Sequence, residues 1–101
     1  MKIKVKKEDV LDKAKEIIQG DRNLRYGDPK INFQRIIKGW ELILGHEITP
    51  DQYGMMMVWM KMARLQEDPR HIDSWIDIAG YAACTAEVMN VDSWWLYKET
   101  T

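Results

Sequence analysis

The feature that most constrains the fold of this 101-residue chain is a helix-start signal, Thr-Pro-Asp-Gln, at residues 49–52. Threonine suits the N-cap, proline suits the first helical position, and glutamine three residues after the cap completes a capping box. The helix that follows is predicted to run to about Gln66. Because every residue from Met55 to Met60 is apolar, the pattern predicts that this third helix lies in the middle of the fold.

Three further segments show helical periodicity between residues that start or end helices. The first helix is predicted from Glu8 to Gly20, the second from a cap at Asn32 to Gly45, and the fourth from about His71 to Met89. The predicted buried faces are Phe33, Ile36, Ile37, Trp40, Ile43 and Leu44 in the second helix, and Ile72, Trp75, Ile76, Ala79, Ala82, Ala83 and Ala86 in the fourth. The sequence therefore predicts an all-α domain over residues 1–101, a compact bundle of about four helices. Residues 2–6 alternate polar and apolar side chains, a pattern that is also typical of a short edge strand.

Composition excludes several classes of protein. Lys and Arg number 15 against 16 Asp and Glu, whereas proteins that bind DNA or RNA polymers are usually strongly basic. No apolar run is long enough to cross a membrane, and the start MKIKVKK lacks the apolar stretch of a signal peptide. The single cysteine, Cys84, fits a reducing compartment and packs best as a small apolar group. We therefore expect a cytoplasmic protein.

The third helix carries two cations one turn apart, Lys61 and Arg64, in an apolar neighbourhood. One interpretation is that their long side chains reach water from a core helix. The other is that they point into a pocket, where an ammonium group and a planar guanidinium suit phosphate oxygens.

Asp73, Asp77, Gly80, Cys84 and Glu87 recur every three or four residues on the fourth helix and so share one stripe. Besides a solvated face, which is common for two carboxylates one turn apart, three interpretations stay open for these side chains. The first is a partly buried ion pair of Asp77 with a cation of the third helix, and the second is ligand binding. The third is a divalent cation held by carboxylate oxygens. Gly80 in mid-helix predicts either close packing or a ligand.

The polar segment between the first two helices contains Arg22, Arg25 and Tyr26. The arginines suit phosphate, and the tyrosine suits stacking on a base. An ordinary turn at Gly27-Asp28-Pro29 is the competing interpretation.

Four motifs stand in order along the chain: GDR at 20–22 with YGDP at 26–29 and NF at 32–33, ITPD at 48–51, KMARL at 61–65, and HIDSWIDIAGYAA at 71–83. Together they resemble an uncharacterised family of small phage and prophage proteins, over about residues 8–88. More distantly, the layout is similar to the MazG-like all-α nucleotide pyrophosphohydrolases, which implies a nucleotide ligand. Those enzymes hold Mg²⁺ with glutamates on one helix and a later Glu-x-x-Asp motif. Here the corresponding helix, from Met55 to Leu65, has no carboxylate, and the later motif survives loosely as Asp73 and Asp77.

These features lead us to expect a phage-type, nucleotide-binding protein without catalysis and without a cofactor, which sequesters a nucleotide immune signal of the host. The expected ligand-binding residues are Arg22, Arg25, Tyr26, Lys61, Arg64, Asp73 and Asp77. One alternative is a Mg²⁺-dependent nucleoside triphosphate pyrophosphohydrolase that uses Asp73 and Asp77 with Glu67 or Glu87. Another is a protein-binding module that uses the Met-rich helix and Trp94-Trp95.

The chain contains five Trp, seven Met and an aromatic tail, Trp94-Trp95-Leu96-Tyr97. This is more large apolar surface than a small bundle readily buries. We therefore expect a homo-oligomer, with this tail at the contact between subunits.

Overall fold

A computed structural model of the chain describes residues 4–20 and 28–89. These residues form four helices, α1 (Lys7–Gln19), α2 (Pro29–Leu44), α3 (Pro50–Glu67) and α4 (Ile72–Val88), and no strand. The prediction of an all-α bundle is confirmed. Residues 4–6 of the predicted edge strand are not in a strand, and the rest of that segment lies outside the described residues.

Helix α2 begins earlier than the predicted cap at Asn32. Asp28 is the N-cap, its carboxylate accepts a hydrogen bond from the Lys30 backbone N–H at 2.8 Å, and Pro29 occupies the first turn. Asp28-Pro29, which the sequence pattern also predicts as part of a turn, is thus a helix start. The two interpretations overlap because aspartate followed by proline is favourable both in turns and at helix N-termini. The helix ends at Gly45, whose φ of 77° is the left-handed conformation that glycine adopts most easily.

Helix α3 begins at the predicted signal. The Thr49 backbone N–H donates to Gln52 Oε1 at 3.0 Å, which is one half of the capping box. A hydrogen bond from the Thr49 side chain also lowers the pKa of the Asp51 carboxyl. This helix start is therefore encoded within four consecutive residues.

Helix α4, and not α3, is the central element of the described bundle. It packs most extensively against α3, next against α1, and also touches α2. The four-residue connection at 68–71 turns the chain from α3 into α4, so the two helices form a hairpin. The prediction that α3 lies in the middle is wrong, since Met55 and Trp59 are 61% and 69% exposed.

A cluster of buried apolar residues joins α2, α3 and α4. The Tyr53 ring lies between two aromatic side chains of α2, with centroids 4.4 Å from Phe33 and 5.2 Å from Trp40. Ile37, Ile48 and Cys84 complete the cluster. Aromatic contacts at these distances stabilise the fold beyond the area that they bury.

The predicted buried faces of α2 and α4 are wrong in part. In α2, Phe33 and Ile37 are buried, but Ile43 is 81% exposed. In α4, Ile76 is the one member of the predicted stripe that is fully buried, and the other buried positions are Ser74, Gly80 and Cys84. The exposed members of the predicted stripe are Ile72, Trp75, Ala82, Ala83 and Ala86. The buried face of helix α4 therefore mixes small, polar and apolar residues, while most of its alanines and Trp75 are exposed.

Among the described residues, no helix is both long enough and apolar enough to span a membrane.

Candidate site at the ion pair between α3 and α4

The most unusual polar feature of the bundle is an ion pair between its two best-packed helices. Lys61 Nζ of α3 lies 3.0 Å from Asp77 Oδ2 of α4. The two side chains are only 11% and 24% exposed, so the pair is largely removed from water. The structure therefore confirms the predicted partly buried ion pair of Asp77 with a cation of the third helix.

The position of Lys61 follows from the periodicity of α3. Gly54, Lys61 and Leu65 are separated by seven and four residues, which places them on one face, and all three are buried against the rest of the bundle. A buried ammonium group costs considerable free energy unless a partner compensates its charge. Asp77, on the facing helix, supplies that partner.

Arg64 and Asp73, the nearest charged residues by helical spacing, are exposed. Arg64 lies one turn after Lys61 on α3, and Asp73 lies one turn before Asp77 on α4. Of the four helical residues expected in the ligand site, the structure thus joins Lys61 to Asp77. Arg64 and Asp73 remain exposed at the surface, each one helical turn from a member of the pair.

The other three expected ligand residues, Arg22, Arg25 and Tyr26, lie outside the described residues. Gln19, at the end of α1, and Asp28, at the start of α2, line a cavity of about 470 Å³. Cys84 and Glu87 of α4 line the same cavity. Asp77 and Cys84 are seven residues apart on one face of α4, which corresponds to a separation of about 10 Å along the helix.

Gly80 packs against α1 in the bundle. A Cβ atom at this position would lie 3.6 Å from Ile18 Cγ2 of α1, in ordinary van der Waals contact. A small residue therefore packs well here, but alanine would fit as well as glycine, so this contact does not decide between the two interpretations of Gly80.

A second polar contact, between His71 and Ser74, was missed by sequence reasoning. His71 Nδ1 lies 2.7 Å from Ser74 Oγ, and Ser74 is completely buried. His71 is the N-cap of α4 and Ser74 is its third residue, which is the spacing of a reciprocal capping arrangement. The three-residue spacing of His71 and Ser74 is the sequence signal that could have predicted this contact. The contact stabilises the start of α4, one turn before Asp77.

Within residues 4–20 and 28–89, no group of three or more His, Cys, Asp or Glu side chains comes together in a way that could hold a metal ion. The described carboxylates that the enzyme alternative would use, Asp73, Asp77, Glu67 and Glu87, are thus not joined into a metal-binding cluster.

Comparisons with known proteins identify relatives in phages. Residues 9–89 match a family described as "Domain of unknown function (DUF6378)". The "Gene 55 protein" of Mycobacterium phage L5 is 45% identical over 74 residues, which cover 72% of this chain and 47% of the phage protein. The "Gene 55 protein" of Mycobacterium phage D29 is 37% identical over 81 residues, covering 80% of this chain and 54% of the phage protein. The chain thus spans about half the length of these curated relatives. No solved structure matches the chain significantly.

Proposed function

This chain belongs to the DUF6378 family, and we propose that it binds a phosphorylated nucleotide, or a signal made from one, without hydrolysing it. The observation that carries the proposal is the largely buried pair of Lys61 and Asp77, with the exposed Arg64 one turn away. The resemblance to MazG-like enzymes supports a nucleotide as the class of ligand.

The energetics of the ion pair support a role beyond stability. Removing two charges from water costs about as much as their attraction returns, and apolar residues of similar volume often stabilise a fold equally well. An ion pair that stability alone does not require is therefore a candidate for a role in binding. Lys61 has three N–H donors and Asp77 accepts one, so donors are left for phosphate oxygens.

In this proposal Arg64 and Asp73 bind the two ends of the nucleotide. The guanidinium of Arg64 can donate two parallel hydrogen bonds to a phosphate group. The carboxylate of Asp73 can accept hydrogen bonds from ribose hydroxyls. In this proposal Asp77 orients Lys61, and Arg22, Arg25 and Tyr26 close over the ligand from the segment between α1 and α2.

The biological role in this proposal is sequestration in the cytoplasm of the bacterial host. The phage origin of the relatives supports a protein that acts during infection. A small phage protein that removes a nucleotide immune signal of the host would act against host defence, and it needs binding without turnover.

The experiment is to heat the purified protein and identify the released small molecules by mass spectrometry. Thermal shift measurements with nucleoside mono-, di- and triphosphates then give the preferred ligand class. A charge-assisted contact to phosphate is worth about 1.5–3 kcal/mol, so Arg64→Ala is expected to weaken nucleotide binding at least about tenfold. Arg35→Ala is the matched control, because Arg35 is an exposed arginine on α2.

Incubation of the same purified protein with nucleotide distinguishes binding from catalysis. We expect intact nucleotide to be recovered after incubation with Mg²⁺. Hydrolysis by the wild type that Asp77→Asn abolishes would overturn the binding proposal in favour of a metal-dependent pyrophosphohydrolase. No bound small molecule, together with no thermal shift for any nucleotide, would remove the nucleotide as the ligand class.

A further inference from the structure

The α3–α4 hairpin has an apolar surface that nothing in the described bundle covers. On α3 this surface contains Met55, Trp59 and Met62, which are 61%, 69% and 40% exposed. On α4 it contains Trp75, which is 47% exposed, and the exposed residues Ala82 and Ala86. We call these six residues the outer hairpin face.

The two helices contribute to one continuous surface. An apolar groove of about 410 Å³ runs between them, and its walls include Met55, Trp59 and Met62 from α3 and Ala82 and Ala86 from α4. The large side chains stand on the α3 side of the groove, and the small ones stand on the α4 side. A surface with a large ridge beside a small-residue groove can interdigitate with a copy of itself.

The area of this surface is close to what a stable dimer needs. Met56, Met60 and Ile72 extend the face at its edges, with exposed fractions of 43%, 42% and 37%. Taking about 200 Å² for a fully exposed large side chain, the large residues alone offer roughly 700 Å². That exceeds the largest apolar patch of a typical monomer, about 300–600 Å², and approaches the roughly 800 Å² that each partner contributes to a stable interface.

The charge distribution favours a second copy of the chain as the partner. No Asp, Glu, Lys or Arg occurs from Gln52 to Met60 on α3, or from Ile78 to Ala86 on α4. In a two-fold dimer a face meets itself, so any charge near its centre would approach its own copy. An uncharged, self-complementary face avoids that repulsion.

We propose that the outer hairpin face is covered by the same face of a second copy, so that two α3–α4 hairpins form a four-helix bundle around a two-fold axis. Trp59 and Met62 of each copy pack over the alanine-lined groove of its partner. This interface differs from the expected one at Trp94–Tyr97, a segment that lies outside the described residues.

The test is sedimentation equilibrium of the full chain at micromolar concentrations. The wild type is expected as a species of twice the 12.0 kDa chain mass. Ala82→Glu and Trp59→Glu each place a charge in the interface but in a solvent-exposed position of the single chain, and both are expected to sediment as monomers with unchanged helical circular dichroism. Leu42→Glu is the matched control, because Leu42 is an apolar residue of α2 that is 86% exposed and lies outside the face.

The control variant Leu42→Glu is expected to remain a dimer. A monomeric wild type overturns the proposal. A dimer that survives both Ala82→Glu and Trp59→Glu also overturns it. If Trp94→Ser with Trp95→Ser dissociates a dimer that those two variants leave intact, the tail forms the interface instead.

Discussion

Gly54 is the position at which the packing of α3 on α4 is most sensitive to one added atom. A Cβ atom built on Gly54 would fall within the side chain of Thr85, overlapping its Oγ1 and Cγ2 and lying 2.7 Å from its Cβ. Rotation about χ1 can move Oγ1 and Cγ2, but the Thr85 Cβ is fixed to the backbone of α4. Gly54→Ala therefore forces the two helices apart.

The expected magnitude is the difference between two opposing effects. Alanine is better than glycine in a helix by about 0.5–1 kcal/mol. Overpacking a closely packed contact costs about 1–3 kcal/mol, and a clash with a fixed Cβ falls at the upper end. Gly54→Ala is thus expected to lower the free energy of unfolding by about 2 kcal/mol.

The assay is urea denaturation followed by far-UV circular dichroism, with Gly39→Ala as the matched control. Gly39 lies within α2 and has no atom within 4 Å of an added Cβ, so the control is expected to gain about 0.5–1 kcal/mol. Thr85→Ala added to Gly54→Ala is expected to recover part of the loss, because it removes Oγ1 and Cγ2. Stabilisation of similar size in both glycine variants would refute this reasoning about close packing.

Three further changes test the ion pair and two helix ends. Asp77→Asn is expected to lower the free energy of unfolding by about 2 kcal/mol, between the values for exposed and fully buried pairs, because it leaves the charge of Lys61 buried. Urea denaturation of a double variant, Lys61→Met with Asp77→Leu, is expected to show a smaller loss, and an equal or larger loss would contradict the argument from desolvation. Gly45→Ala is expected to cost about 1–2 kcal/mol in the same assay, because the φ of 77° is strained for alanine; an unchanged midpoint would contradict it. The lowered pKa of Asp51 stabilises the fold above the ordinary pKa of 3.8, and this contribution disappears as pH falls through the lowered value. Acid titrations are therefore expected to show a shallower loss of stability for Asp51→Asn than for the wild type, and parallel curves would contradict this.

Helix starts and ends were largely predictable because they depend on a few neighbouring residues. The capping box at Thr49 and the stop at Gly45 are local hydrogen-bonding and backbone effects, and both are present in the fold. The start of α2 was misplaced because Asp28-Pro29 satisfies the rules for a turn and for a helix start alike. The pairing of Asp77 with a cation of the third helix was one of the interpretations that the sequence left open, and the sequence did not choose between Lys61 and Arg64.

Which faces point inward was decided by the tertiary structure. Periodicity identifies a buried face only where the opposite face is polar, and α3 and α4 carry apolar residues on nearly every side. Their orientation depends on the close approach of α3 and α4, which Gly54 allows because a Cβ atom there would overlap Thr85. Contacts of this kind join residues that are far apart in the sequence, so local patterns do not report them. The sequence by itself therefore determined most of the helix ends, with the start of α2 as the exception, while packing between the helices decided that alanines, methionines and tryptophans form an exposed surface.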